Sequence, residues 1–262
     1  MPVPQKTTPS GRAEHPARPG VALVVGGSGG IGAAVCRALT RDGATVALTY
    51  HRHRPVDLIE ELGKGAEAHQ LDVTDPAAVS KLIAALAERY GAIHTLVHAA
   101  GPHVPMVHLS RVTPAQFAEQ LETDLLGFFT VATSALPILR ASAGSIVVVT
   151  TAATRRYPVR DGLSAVPKGG VESLAMALAA EEGRFGVRVN CVGPGMLTEG
   201  MAARLIDSRD LDTQALAVAR ANIPLRRFGT AADVAEAVAF LSSDRAGFIS
   251  GQKLDVDGGY GV

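Results

Sequence analysis

The stretch Val21–Gly32, reading VALVVGGSGGIG, decides the fold. Val21 to Val25 is an uninterrupted, β-branched apolar run of the kind found in strands buried on both faces. From Ile31 to Leu39 apolar residues recur at helical spacing. Between the two, Gly26, Gly30 and Gly32 fall as G-x-x-x-G-x-G. Glycine there permits a positive φ, a close approach of backbone amides to a pyrophosphate and tight packing of helix on sheet, and the helix N-terminus favours an anion. Ser28 and Ile31 offer a hydroxyl and further amides. A glycine-rich turn can also be a bare strand-to-helix connection, and only the strand-turn-helix context argues for a dinucleotide.

Working outward, 262 residues with 47% hydrophobic content and a formal net charge of +0 suit one large α/β domain with a substantial core. Balanced charge gives no basic field for nucleic acid, and no run approaches the length needed to span a bilayer, so the expected ligand is a small molecule. Met1 to Pro19 is proline-rich and polar, lacks an apolar block of secretory type and reads as a mobile tail before a domain over residues 20–262. Cys36 and Cys191 lie in apolar surroundings and read as core residues of a cytoplasmic protein.

Further strands are expected at Thr45 to Tyr50, Glu67 to Leu71, Thr95 to His98, Ser145 to Thr150, Val187 to Val192 and Lys253 to Val256. Helical patterns separate most of them, which predicts β-α-β crossovers, a parallel sheet and helices on both faces. Thr113 to Arg140 reads as one long helical segment bent before Pro137.

The second strand ends at Tyr50 and continues His51-Arg52-His53-Arg54. An acidic residue at this point binds ribose hydroxyls, whereas a basic one accommodates a 2′-phosphate, so the absence of an acid at Tyr50, with Arg52 and Arg54 following, favours NADP(H) over NAD(H), His51 and Arg52 being the candidate contacts; the alternative is a solvated polar loop. Asp72 either accepts from the adenine amino group, with Val73 packing nearby, or caps a turn before Pro76. After the fourth strand, the small residues Ala99, Ala100 and Gly101 permit a close cofactor approach. His98, His103 and His108 recur every five residues, a spacing that matches no helical face or familiar ligand set, so no metal is expected.

Asp124 stands among Leu121, Leu125, Leu126, Phe128 and Phe129, either facing a functional crevice or serving as a core or exposed carboxylate. Thr150 and Thr151 end the fifth strand at the carboxyl edge, where open α/β sheets bind ligands. Ser164 and Lys168 are one helical turn apart on one face, and the lysine either holds a nicotinamide ribose or is a surface residue.

From Gly20 onward the chain resembles the short-chain dehydrogenase/reductase family of the classical glycine-motif type. The resemblance rests on GGSGGIG, LDV, the AAG turn, GSIVVVTT, the lysine of SAVPK, RVNCVGPG, RRFGTAADVAEAVAFLSSD and FISGQKLDVDGG. It implies a single Rossmann-like domain with a seven-stranded parallel sheet, a nicotinamide cofactor and a homotetramer assembled through long helices and the C-terminal segment. Of the family's Asn, Ser, Tyr and Lys, only Lys168 is kept; Thr151 stands at the serine position, Ser164 at the tyrosine position and Asp124 at the asparagine position. An aliphatic hydroxyl is a far weaker acid than a phenol, so the usual proton relay to a carbonyl is not expected. Tyr157, seven residues before Ser164, reads first as a loop residue and second as a substitute acid.

Asp at the Asn position, a missing Tyr and a retained Lys look like the 2,4-dienoyl-CoA reductase branch, as does PGMLTEGMAARL. The branch implies hydride delivery to an unsaturated thioester, with protonation of carbon by a water that the Asp positions. Three functions follow: an NADP(H)-dependent reductase of a carbonyl or conjugated enoyl substrate, a 3-oxoacyl-carrier-protein reductase, and a silent cofactor-binding sensor or assembly partner. Pro194, Gly195 and Met196 are expected along the nicotinamide, with Thr198 one residue earlier than the family's threonine. Met196 to Asp212 is the expected substrate lid, its Met196, Leu197, Met201 and Leu205 suited to an apolar acyl group or simply to packing.

Overall fold

The computed structural model describes residues 18–102, 104–198 and 213–262. The expected tail before Arg18, most of the expected lid, including Met201 and Leu205, and His103 lie outside the described residues.

β1 (Val21–Val25) is buried at every residue. Its side chains alternate between two apolar layers: Val21, Leu23 and Val25 face one, Ala22 and Val24 the other. The chain then runs through α1 (Gly30–Arg41), β2 (Val46–Tyr50), α2 (Val56–Leu62), β3 (Glu67–Gln70), α3 (Pro76–Tyr90) and β4 (Ile93–His98). α4 (Pro114–Leu121) and α5 (Gly127–Ser142) flank a π-helical turn at Glu122–Leu126. β5 (Ser145–Val149), α6 (Gly162–Glu182), β6 (Arg188–Pro194), α7 (Thr213–Ala221), α8 (Ala231–Ser242) and β7 (Lys253–Val256) follow.

Among the described residues these strands form one seven-stranded sheet, ordered β3-β2-β1-β4-β5-β6-β7, with every pair parallel. The expected doubly wound α/β architecture is therefore present. One layer packs α3, α5 and α6 through Ile83, Phe128, Leu139 and Leu178; the opposite layer packs α1 and α8 through Val35, Leu39, Val234 and Val238. The strand order reverses between β1 and β4, which is where such sheets open a crevice at their carboxyl ends.

Several boundaries differ from the sequence reading. β3 stops at Gln70, and beyond it Leu71 and Val73 are buried while Asp72 is exposed; Thr150 lies just past β5. In the long helix, the register breaks at the π-helical turn, while Pro137 is accommodated inside α5. The run Pro114–Ser142 is also long and apolar enough to cross a bilayer by length and composition, its best window having a mean hydropathy of 1.4. The expectation that no such run exists is thus corrected, since a helix of this length stays apolar on average despite scattered polar residues. Phe128, Val131, Ala135 and Leu139 of this run are buried in the protein core.

Candidate active site

The glycine turn closes on itself: the Gly29 amide donates to the Gly26 carbonyl at 3.1 Å, and the Gly26 amide donates to Thr49 Oγ1 at 3.0 Å. Gly26 has φ +78°, and a Cβ there would lie 2.6 Å from the Ala100 backbone. A Cβ on Gly32 would lie 2.2 Å from the Gly26 carbonyl oxygen, so both positions require glycine for close approach. α1 starts at Gly30 with Gly29 as N-cap and no side chain capping it, which leaves its first amides available to an anion. Ser28 and Gly30 are exposed and Ile31 half-buried beside them. These residues fit a dinucleotide pyrophosphate.

The β1–β4 register pairs Val25 with His98, and the Ala99 amide donates to the Val25 carbonyl at 2.8 Å. The Ala99-Ala100-Gly101 turn is thereby placed against the glycine turn. His51 and Arg52 are exposed at the end of β2, and the Gln70 side-chain amide donates to the His51 carbonyl at 3.0 Å.

Asp72 accepts from the Thr74 amide at 2.9 Å and hydroxyl at 2.7 Å through Oδ1, and these bonds hold its carboxyl below its ordinary range. Its Oδ2 faces His51 Nε2 at 3.7 Å. Asp72 therefore caps its own turn with one oxygen. The Val73 side chain is buried against α5, where a Cβ on Gly127 would lie 2.8 Å from its Cγ2. The turn after β3 directs it into the core layer that also holds Phe128.

Asp124, in the π-helical turn, is 4% exposed. Lys168 Nζ donates to its Oδ2 at 3.0 Å, and Gln120 Nε2 donates to the same oxygen at 2.8 Å. Oδ1 faces the AAG turn: a Cβ built on Gly101 would lie 3.4 Å from it and 3.9 Å from Lys168 Nζ. Gly101, Asp124 and Lys168 thus converge at the mouth of the crevice.

Ser164 is buried in the first turn of α6, four residues before Lys168. Thr151 has an extended backbone and its Oγ1 accepts from the Ala153 amide at 3.1 Å. Among the described residues no hydrogen bond joins either hydroxyl to Lys168 or Asp124, so the structure brings together two of the four expected catalytic side chains directly. Tyr157 is 62% exposed.

Two residues at the site, Gln120 and Asp161, escaped the sequence reading, and a third, His98, was weighed there only as a metal ligand. Gln120 was signalled only by its i,i+4 spacing from Asp124, a spacing at which Gln and Asp side chains meet on a helix. Asp161, the N-cap of α6, has its carboxyl pushed above the ordinary range by burial, against the opposing charge of Lys168. His98 is fully buried with its ring 5.3 Å from that of Phe128, and burial, helped by the Lys168 charge, pushes its imidazole down to about 4. His98 is therefore neutral at physiological pH. Among the described residues no group of three His, Cys, Asp or Glu side chains is placed to hold a metal.

On the far side of the crevice, the Gly195 amide donates to the Val256 carbonyl at 3.0 Å, and the Met196 carbonyl accepts from the Gly229 amide at 3.0 Å. Pro194 ends β6. Thr198 is exposed, and both its amide and its Oγ1 donate to the Gly229 carbonyl, at 2.9 and 3.4 Å. Its hydroxyl is thus turned toward the β-bridge between Leu197 and Gly229.

Residues 25–261 match the family described as enoyl-(acyl carrier protein) reductase. The L-fucose dehydrogenase of Oryctolagus cuniculus is 36% identical over 243 residues, covering 91% of this chain and 84% of that protein. The 3-oxoacyl-(acyl-carrier-protein) reductase FabG of Staphylococcus epidermidis is 33% identical over 244 residues, covering 91% and 97%. A crystal structure of an actinorhodin polyketide ketoreductase variant with NADPH superposes with a TM-score of 0.86 at 30% identity, covering 92% of this chain and 97% of that one. With the parallel sheet, the glycine turn at its switch point and the lysine on α6, these likenesses show that the chain is an oxidoreductase of the short-chain dehydrogenase/reductase family.

Proposed function

We propose that the protein is an NADP(H)-dependent reductase that transfers hydride to a conjugated enoyl substrate, an acyl thioester by preference, with an active site like that of the 2,4-dienoyl-CoA reductases. The observation that carries this reading is the Asp124–Lys168 ion pair at 3.0 Å in a chain whose tyrosine position is Ser164. A carboxylate at this point can position a water, whereas an aliphatic hydroxyl at Ser164 is a poor acid for a ketone.

A bound nicotinamide cofactor would supply the hydride. Gly26, Ser28, Gly30, Ile31 and Gly32 would hold its pyrophosphate, His51 and Arg52 the 2′-phosphate, Asp72 and the Val73 backbone the adenine. Ala99, Ala100, Gly101, Lys168, Pro194, Gly195, Met196 and Thr198 would surround its nicotinamide end. Lys168, with Thr151 or Ser164, donates to the developing oxyanion of the thioester. Asp124 holds the water that protonates carbon; the hydroxide left behind takes a proton from Lys168, which is reprotonated from solvent.

The test is hydride transfer followed at the nicotinamide absorbance, with NADPH and a matched pair of substrates, a 3-oxoacyl and a 2,4-dienoyl thioester. Turnover of the dienoyl compound, lost in Asp124→Ala, is expected. Turnover of the ketone alone would overturn this reading in favour of a 3-oxoacyl reductase, with Asp161 the first replacement acid to examine. NADPH binding with silence on both would favour the non-catalytic sensor.

The assembly is a homotetramer working in the cytoplasm. Its support is one of the two faces a tetramer needs, the apolar groove of about 710 Å³ lined by Leu121, Leu125, Leu126, Phe129 and Leu174, with Leu126 and Phe129 about half exposed. A second copy of this face, rather than lipid or nucleic acid, covers it. The location is supported by Cys36 and Cys191, which are unpaired and packed in opposite layers, as suits a reducing compartment.

A further inference from the structure

We propose that Gln120 is the positioning residue of the site: it clamps Oδ2 of Asp124 and thereby assigns Oδ1 as the oxygen that holds the reacting water. The inference rests on the function proposed above and adds to it a residue to which that reading gives no role.

The geometry is asymmetric in a way that two donors on a carboxylate need not be. Gln120 Nε2 and Lys168 Nζ both approach Oδ2, at 2.8 and 3.0 Å, from α4 and α6. Oδ1 lies toward Gly101, where a Cβ built on that glycine would come within 3.4 Å of it, on the side of the crevice where the proposed function puts the substrate. A carboxylate held at one oxygen by two donors from different directions has its plane fixed, so the lone pairs of its other oxygen have a fixed aim.

Gln120 and Lys168 are not equivalent holders. Lys168 is a flexible ammonium with a second task, donating to the cofactor ribose and the oxyanion, and its side chain is 15% exposed. Gln120 is neutral and 8% exposed, carried by a helix whose N-terminus is fixed by a Thr113–Gln116 capping box. When Lys168 turns toward cofactor and substrate, Gln120 keeps the carboxylate from rotating. The residue type also suits its partner: its amide nitrogen donates to a carboxylate that can only accept. The π-helical turn between Gln120 and α5 carries Asp124, and such turns often mark places where a helix gives up regular bonding to aim a side chain.

Gln120→Leu keeps the volume and removes the donor. Against the substrate that wild type turns over, kcat is expected to fall roughly 10- to 100-fold, as for loss of a hydrogen bond to a charged group. NADPH affinity and KM stay within about twofold, since the residue touches neither ligand. Reduction in D2O reads the aim directly: wild type delivers deuterium to one face of the protonated carbon, and Gln120→Leu to both. Unchanged kcat and facial selectivity in Gln120→Leu would overturn the inference. Should wild type reduce no compound of the pair, the parent reading fails by itself, and crystal structures of wild type and Gln120→Leu still decide on the clamp. The carboxylate plane should turn in the variant and not in the wild type; an identical plane in both overturns the proposal.

Discussion

Lys168 has two demands on one ammonium: the structure gives it to Asp124, and the proposed chemistry needs it at the oxyanion as well. Lys168→Ala should therefore lose both oxyanion stabilisation and proton return, with kcat falling about 100-fold or more in the NADPH assay. Loss of the neighbouring charge also bears on His98, whose neutrality the ammonium supports. Arg52→Ala should weaken NADPH about 10-fold or more while leaving NADH unchanged, read by fluorescence titration, if its guanidinium meets the 2′-phosphate. Equal weakening of both cofactors would place Arg52 elsewhere. At this scale the sequence is readable where a residue breaks a pattern: Asp124 stands out because it interrupts a leucine-rich face, and the chain does bury it. Gln120 breaks nothing, since a polar residue at the edge of an amphipathic helix is ordinary, and its role depends on where α6 lies. Val73 was less legible, because an apolar residue after a strand suits an adenine face as well as a core, and its packing against Gly127 shows only in the structure.

Among the elements, the glycine turn makes the firmest demand. A Cβ on Gly32 would lie 2.2 Å from the Gly26 carbonyl, so Gly32→Ala must push α1 away from the turn. We expect a loss of NADPH affinity together with a lower melting temperature, measured by titration and calorimetry; normal affinity would mean that the pyrophosphate is not held there. The face of α4 and α5 makes a different demand. Phe129→Glu places a charge on an apolar groove without touching the core, and should convert a tetramer to smaller species in light scattering while the monomer stays folded. A wild-type monomer at micromolar concentration would end that proposal. Strands were legible because burial on both faces leaves a β-branched run with few alternatives, as in Val21–Val25 and Ser145–Val149. The π-helical turn was not, since one extra residue in a helix leaves the apolar pattern on either side intact and shows only in the hydrogen bonds.

Across the whole molecule, two buried imidazoles tie stability to pH. Burial pushes His94 and His98 from an ordinary 6.5 to about 4; the charge of Arg18 adds to the effect at His94 and that of Lys168 at His98. The unfolded chain binds these protons below about 6.5 and the folded protein resists them until about 4. Their contribution is thus fully present above 6.5 and is lost as pH falls through that window. Melting temperature should drop between pH 7 and pH 4, and the His94→Gln, His98→Asn double variant should flatten the slope; an equal slope in the variant would assign the loss to carboxylates. The sheet that carries these histidines also divides the interior. Cys36 belongs to the layer under α1 and α8, Cys191 to the layer under α3, α5 and α6, and burial pushes both thiols up to about 12. Each thiol can be alkylated only when its own side of the sheet opens, so the chain carries one built-in chemical clock per layer. Labelling rates at the two positions would show whether the halves breathe together or one at a time.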